Sequence, residues 1–254
     1  MARIKAWLHK DGWQKPFQTL REKPANFPLT TNAPACAAEL LKLSDEALLE
    51  HWAKSRAETL AAWQKFSHSG WHHVLCAEDV RGKKIMDVGP GFGVPGIGLS
   101  LRGAQLTFVD LTESNLGVLK RLCRVMGMEA QFCLLKDRDS LRSLDSEYDF
   151  IMPTALLHAP SDVIRPDYQE LIRHLKVGGR WLQCAYPKIR WLRDASPAFA
   201  GWGPMVGGPR TPWAEWYDAP KLLDVLAPAK FEVLLYEEWS DGQYNWFDLR
   251  YLGL

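Results

Sequence analysis

The sequence predicts a doubly wound α/β fold: a mostly parallel seven-stranded sheet with helices on both faces and a helical cap on the N-terminal side. Three observations carry this. Short apolar runs of strand length alternate with helix-period segments between Lys83 and Ala185. The first run ends in an acid and a glycine-dense turn, Asp87-Val88-Gly89-Pro90-Gly91-Phe92-Gly93, and the second, Gln105 to Val109, ends on Asp110. The chain then closes on two long stretches either side of Asp241-Gly242, read as an antiparallel hairpin.

Taken in order, residues 1 to 35 are rich in proline, aromatic and basic side chains and read as an irregular arm. A helical pattern begins near Ala37. Ser44 is placed to cap a helix with Asp45 and Glu46 in its first turn, and Leu48, Leu49, Trp52, Leu60 and Trp63 share a face. Arm and cap together span residues 1–76, ahead of a single larger unit over 77–254. His68, His72 and His73 have no acidic partners nearby and read as surface or helix-end residues, with no metal expected.

After the glycine turn, Pro95 suits the first turn of a helix, where its missing N–H costs nothing. Glu113 to Met126 reads as a helix with Leu116, Leu119, Leu122 and Met126 inward and Lys120, Arg121 and Arg124 on a solvated face. Strands are expected at Gln131 to Leu135 and Tyr148 to Met152. A helix carrying Tyr168, Leu171, Ile172 and Leu175 is expected to stop at Val177-Gly178-Gly179, ahead of a fifth strand from Arg180 to Ala185. Residues 187–212 look irregular and leave a strand's carboxyl end, so they read as a substrate-binding lid. Thr211, Pro212 and Glu215 give the start signals of a last helix, Pro212 to Leu226, before strands Phe231 to Trp239 and Asn245 to Leu254.

The formal net charge of +1 over 254 residues, with no long charge run, gives no reason to expect nucleic acid or an acidic membrane as partner. Five scattered cysteines without a C-x-x-C pair fit reduced thiols in the cytoplasm rather than disulfides or zinc. The first residues lack the apolar core of a signal peptide, and no apolar stretch reaches the roughly 20 residues that span a bilayer.

Strand, glycine turn, helix, strand and terminal acid form a βαβ unit of the nucleoside-binding kind, with Asp110 placed to accept from ribose hydroxyls. Gly91, Gly93 and Gly96 fit the dinucleotide spacing G-x-G-x-x-G, but Asp87 immediately before the turn would repel a diphosphate. The run from Asp87 to Gly93 instead resembles motif I of the class I S-adenosylmethionine-dependent methyltransferases, an acid followed by x-G-x-G-x-G. That cofactor carries an ammonium and a sulfonium and no phosphate, so an acid at the turn helps.

The resemblance implies S-adenosylmethionine as cofactor, held by Asp87, Gly89, Gly91 and Gly93, by Asp110 and Leu111 at the ribose end, and by Asp137 and Arg138 at the adenine. It places Pro153 beside the methyl group and makes His158 the candidate base or orienting group. The D/N-P-P-Y/F/W tetrapeptide of enzymes that methylate amino groups of DNA bases and protein glutamine is absent after Met152. Seven of the twelve tryptophans lie from Trp181 onward, and lid aromatics favour a sugar-like or polar small-molecule acceptor, with Trp202, Trp213 and Tyr217 as its contacts. Two other readings stay open at this point: an NAD(P)-dependent oxidoreductase, and a partner subunit that binds S-adenosylmethionine without catalysis.

Overall fold

A computed structural model describes residues 34–65, 79–144, 147–153, 161–207, 211, 213–239 and 241–254. The seven strands are β1 (Lys84–Val88), β2 (Gln105–Asp110), β3 (Ala130–Leu134), β4 (Tyr148–Met152), β5 (Leu175–Ala185), β6 (Lys230–Trp239) and β7 (Tyr244–Gly253). They form one sheet in the order β3-β2-β1-β4-β5-β7-β6. The first five run parallel, and β7 enters antiparallel between β5 and β6. Strand order reverses between β1 and β4, which opens a crevice beyond their carboxyl ends. Asp87 lies level with Phe108 on β2 and Met152 on β4, so the motif acid sits at the centre of the sheet's working edge.

Both faces of the sheet are covered, as the near-continuous apolar strands require. On β1, Ile85 joins a cluster with Leu48, Trp52, Ile97, Phe108 and Leu119, whereas Met86 and Val88 join Ile151, Tyr168, Trp181 and Leu222 in a second. This alternation is the period of a strand, expressed as two cores.

The cap is two helices, α1 (Pro34–Leu40) and α2 (Asp45–Lys65). Ser44 accepts from the Ala47 N–H at 3.2 Å, the cap expected of it. Helix α3 (Val94–Ser100) has Pro95 in its first turn, and α4 (Glu113–Val125) buries Leu116, Leu119 and Leu122. The basic face of α4 is not simply solvated. Arg121 Nε meets Asp45 Oδ1 at 2.5 Å while its other nitrogens donate to the carbonyls of Leu41 (3.1 Å) and Leu43 (2.6 Å). Arg124 meets Asp45 Oδ2 at 2.9 Å. One guanidinium thus satisfies carbonyls at the end of α1 and a carboxylate at the start of α2, tying the cap to the sheet domain. Arg121→Ala should lower Tm by a few degrees in a thermal melt, and Arg121→Lys should rescue it only in part because lysine lacks the fork.

Three other expectations are corrected. Helix α5 (Ser161–Ile172) ends before Val177-Gly178-Gly179, and those residues lie within β5, whose pairing with β4 slips between Tyr148 and Phe150. Gly178 takes φ +83° there, a conformation that lets the strand bulge rather than a helix stop. Within the stretch expected to be irregular, 187–207 is largely helical, with α6 (Lys188–Arg193) and α7 (Phe199–Gly207). The last helix, α8 (Ala219–Leu226), starts well after Pro212, because Asp218 caps it by accepting from the Lys221 N–H at 3.0 Å and Pro220 occupies its first turn.

Candidate cofactor and acceptor site

The glycine turn is a run of left-handed backbone: Gly89, Gly91 and Gly93 have φ of +66°, +56° and +69°. A β-branched side chain is strained in that region, so the chain can make this turn only with residues lacking a Cβ. The turn is tied down at both ends. Gly89 N–H donates to Val109 O on the neighbouring strand at 2.8 Å, and Gly93 N–H donates to Pro90 O at 2.8 Å. Gly96 has a different task, because a Cβ there would stand 2.6 Å from Asp87 Oδ2 and 2.6 Å from Phe108. It lets α3 cross directly over the acid.

Asp87 is consequently fully buried, and neither carboxylate oxygen has a hydrogen-bond partner among the described residues. A charge in such a place is costly. Burial first, and the nearby Asp110 carboxylate second, push its pKa up to about 8. An acid held under a glycine turn with no cation paired to it among the described residues is a site suited to positive charge. The orphaned carboxylate and the left-handed turn both fit a cationic, phosphate-free nucleoside.

Asp110 ends β2 and is also nearly buried. Its Oδ1 accepts from Thr112 N–H (2.8 Å) and Thr112 Oγ1 (2.9 Å), and Asn115 Nδ2 reaches Oδ2 at 3.1 Å. Oδ2 therefore keeps accepting capacity toward the crevice. Thr112 and Asn115 orient this acid, a role that no sequence signal marks. Thr112 precedes a helix and so looks like an ordinary cap, yet its hydroxyl turns back to Asp110 instead of capping α4. Leu111, next along, is 68% exposed, an apolar surface beside Asp110.

Asp137 is exposed and N-caps a short 3-10 turn (Arg138–Ser143), its Oδ1 accepting from Ser140 N–H at 2.9 Å and Ser140 Oγ at 2.8 Å. Those bonds, the Ser140 hydroxyl first, hold its carboxyl below the usual range. The backbone of Arg138 opens the same turn, directly after β3. Pro153 is buried immediately after β4. His158, His68, His72 and His73 lie outside the described residues.

The expected acceptor contacts separate. Trp202 has no exposed surface: its indole donates to Asp194 Oδ2 at 2.9 Å, and it stands edge-on to Tyr186 at 5.6 Å. Tyr217 is equally buried, in the core on the opposite face. Neither offers surface to an acceptor: Trp202 is turned inward by the helix that forms where an irregular lid was expected, and Tyr217, expected within a helix, lies ahead of α8 and packs into the core. Trp213 alone of the three is partly open. Its ring meets Phe199 at 6.0 Å, and its buried N–H has no partner among the described residues. Beyond β5, Tyr186 pairs with Trp216, which brings Trp216 and Trp191 alongside this group. Among the described residues no cluster of three His, Cys, Asp or Glu could hold a metal, and no helix is long and apolar enough to cross a membrane.

Residues 85–179 match a family model described as a methyltransferase domain. A ubiquinone biosynthesis O-methyltransferase of Pseudomonas savastanoi is 31% identical over 102 residues, 39% of this chain and 42% of that protein. A ribosomal RNA small subunit methyltransferase C of Chromohalobacter salexigens is 30% identical over 128 residues, 48% of this chain and 38% of that protein. The matched stretch thus spans about two fifths of the length of these relatives. The magnesium protoporphyrin IX methyltransferase of Synechocystis PCC 6803, solved with bound S-adenosylhomocysteine, superposes with a TM-score of 0.56 at 18% identity, over 76% of this chain and 84% of that one. The fold is the class I methyltransferase fold.

Proposed function

We propose that this chain, which carries a class I S-adenosylmethionine-dependent methyltransferase domain, transfers a methyl group from that cofactor to a small-molecule acceptor. One observation carries the reading: a buried carboxylate with no partner among the described residues lies directly beneath a left-handed glycine turn at the point where the strand order reverses. A dinucleotide would set its diphosphate against that acid, whereas a sulfonium nucleoside sets positive charge there. The same feature disfavours the oxidoreductase alternative.

S-adenosylmethionine supplies an electrophilic methyl on sulfur. The chain's own work is to bind and orient: Asp110, held by Thr112 and Asn115, takes ribose hydroxyls, Asp137 and the backbone of Arg138 take the adenine edge, and Leu111 covers an apolar face. Pro153 borders the methyl. His158 orients the acceptor or takes its proton, a role histidine suits near neutral pH. In-line displacement at a methyl needs mainly alignment and exclusion of water. A small acceptor is supported by the partly open aromatic surface beside β5 and by the absence of the amino-methylating tetrapeptide at Met152-Pro153-Thr154-Ala155.

The test is calorimetry with S-adenosylhomocysteine and NAD side by side. The expected result is saturable binding of the first and none of the second. Asp110→Ala should weaken the first by about 1.5–3 kcal/mol, because ribose loses a charged acceptor. Preference for NAD, or full affinity in a folded Asp110→Ala protein, would overturn the assignment.

A further inference from the structure

We propose that the acceptor is a planar aromatic molecule bearing an oxyanion, a carboxylate or phenolate, seated on a ring surface of Trp191, Phe199, Trp213 and Trp216 with Lys188 at its edge. This rests on the methyltransferase reading and narrows it.

The four rings form a continuous chain. Trp213 meets Phe199 at 6.0 Å, Phe199 meets Trp191 at 5.9 Å, and Trp191 meets Trp216 at 6.2 Å. All four residues are only partly buried, and the Trp216 ring carries the Lys221 and Lys188 ammoniums at 4.1 Å and 4.8 Å from its centre. Their place is fixed by the sheet: Trp216 pairs with Tyr186 just past the carboxyl end of β5, and Lys188 opens α6 two residues further on. That puts the rings along the same edge of the sheet as the glycine turn, on the side where β4 and β5 end. Tilted aromatic rings of this kind offer faces and edges to a flat partner.

The polar groups left over are donors. The Trp213 and Trp216 indole N–H groups are buried and have no partner among the described residues, and an indole can only donate. Lys188 Nζ lies 4.8 Å from the Trp216 ring centre and makes no ion pair among the described residues. The carboxylates nearby are already engaged. Glu215 accepts from Ser161 N–H at 2.7 Å, from Ser161 Oγ at 3.0 Å and from Lys221 Nζ. Asp194 accepts from the Trp202 indole at 2.9 Å and faces Arg190 at 4.0 Å.

This inventory discriminates between ligand classes. A cation on these rings would meet Lys221, whose ammonium lies 4.1 Å from the Trp216 ring, as well as Lys188. A polyol could stack on tryptophan, but its many hydroxyl donors would find the neighbouring carboxylates already engaged. An aromatic oxyanion stacks on the rings, accepts from the indoles and is paired by Lys188.

The experiment loads the protein with S-adenosylhomocysteine and titrates it with 4-hydroxybenzoate and 3-hydroxy-2-naphthoate. Their neutral methyl esters and methyl β-glucoside serve as comparisons. The carboxylates should bind, the esters about tenfold more weakly. Lys188→Met should cost the carboxylates a similar factor and leave the esters and S-adenosylhomocysteine unchanged; Lys188 is exposed, so the variant should fold. Trp216→Phe keeps a ring and removes the N–H, and should weaken the carboxylates by a smaller factor. Failure of both carboxylates to bind, equal or tighter binding of esters or glucoside, or indifference of the carboxylates to Lys188→Met each overturns the aromatic-anion assignment while S-adenosylhomocysteine binding still stands. Loss of S-adenosylhomocysteine binding itself overturns the methyltransferase reading, and this inference falls with it.

Discussion

Gly91→Val should reduce affinity for S-adenosylhomocysteine by at least about a hundredfold, equivalent to some 2.7 kcal/mol. Two effects combine. Gly91 sits at φ +56°, where a β-branched residue is strongly disfavoured, so the turn must open or shift. The new side chain would also stand on the backbone that the cofactor must approach. Strain alone would destabilise the protein without touching the ligand, so a matched control is needed. Gly127 has φ +65° and open space around it, and it follows the carboxyl end of α4, at the opposite edge of the sheet. Gly127→Val should lower Tm yet bind S-adenosylhomocysteine normally. If calorimetry finds the two variants equally unaffected in binding, the glycine turn only shapes the chain.

The turn and both acids were readable in the sequence because each depends on local chemistry: apolar runs that end in carboxylates, and glycines where the backbone must turn left-handed. The five parallel strands and the closing hairpin were readable for the same reason. The errors arose where a distant partner decides. Thr211-Pro212 and Glu215 carry good helix-start chemistry, but Glu215 is drawn to Ser161 and Lys221, and the helix waits for Asp218. Arg121 and Arg124 look like a solvated face until Asp45, 76 residues earlier than Arg121, folds against them.

Helix α7 was hidden by Gly201, Gly203 and Pro204, which ordinarily argue against helix. Gly203 is there for a packing reason, since a Cβ would lie 2.5 Å from the Trp213 backbone nitrogen. Helix α7 can therefore press close to the strand-like segment carrying Trp213, and Trp202 is buried as a result. Thr112 and Asn115 were missed because orienting an acid leaves no mark of its own in the sequence.

Asp87→Asn should abolish a pH dependence of stability in the ligand-free protein. In the folded state the Asp87 pKa is about 8, well above its ordinary 3.8, so the native protein holds a proton that the unfolded chain has released. Stability must then fall as pH rises from about 4 to about 8, by at most about 1.4 kcal/mol per pH unit for one proton, and level off above that. Asparagine fills nearly the same space beneath Gly96 and carries no charge to bury. The variant should lose this slope and be the more stable protein at pH 9, with little difference at pH 4. Cofactor binding should move the other way. A positive ligand near the turn favours the ionised carboxylate, so the wild type should release a proton on binding S-adenosylmethionine at pH 7 and Asp87→Asn should not. Urea denaturation at pH 5 and pH 9, paired with calorimetry in buffers of different ionisation enthalpy, reads both effects. Parallel stability profiles for the two proteins would show that Asp87 bears no buried charge. Equal proton release would show that the cofactor's positive charge is met elsewhere in the site.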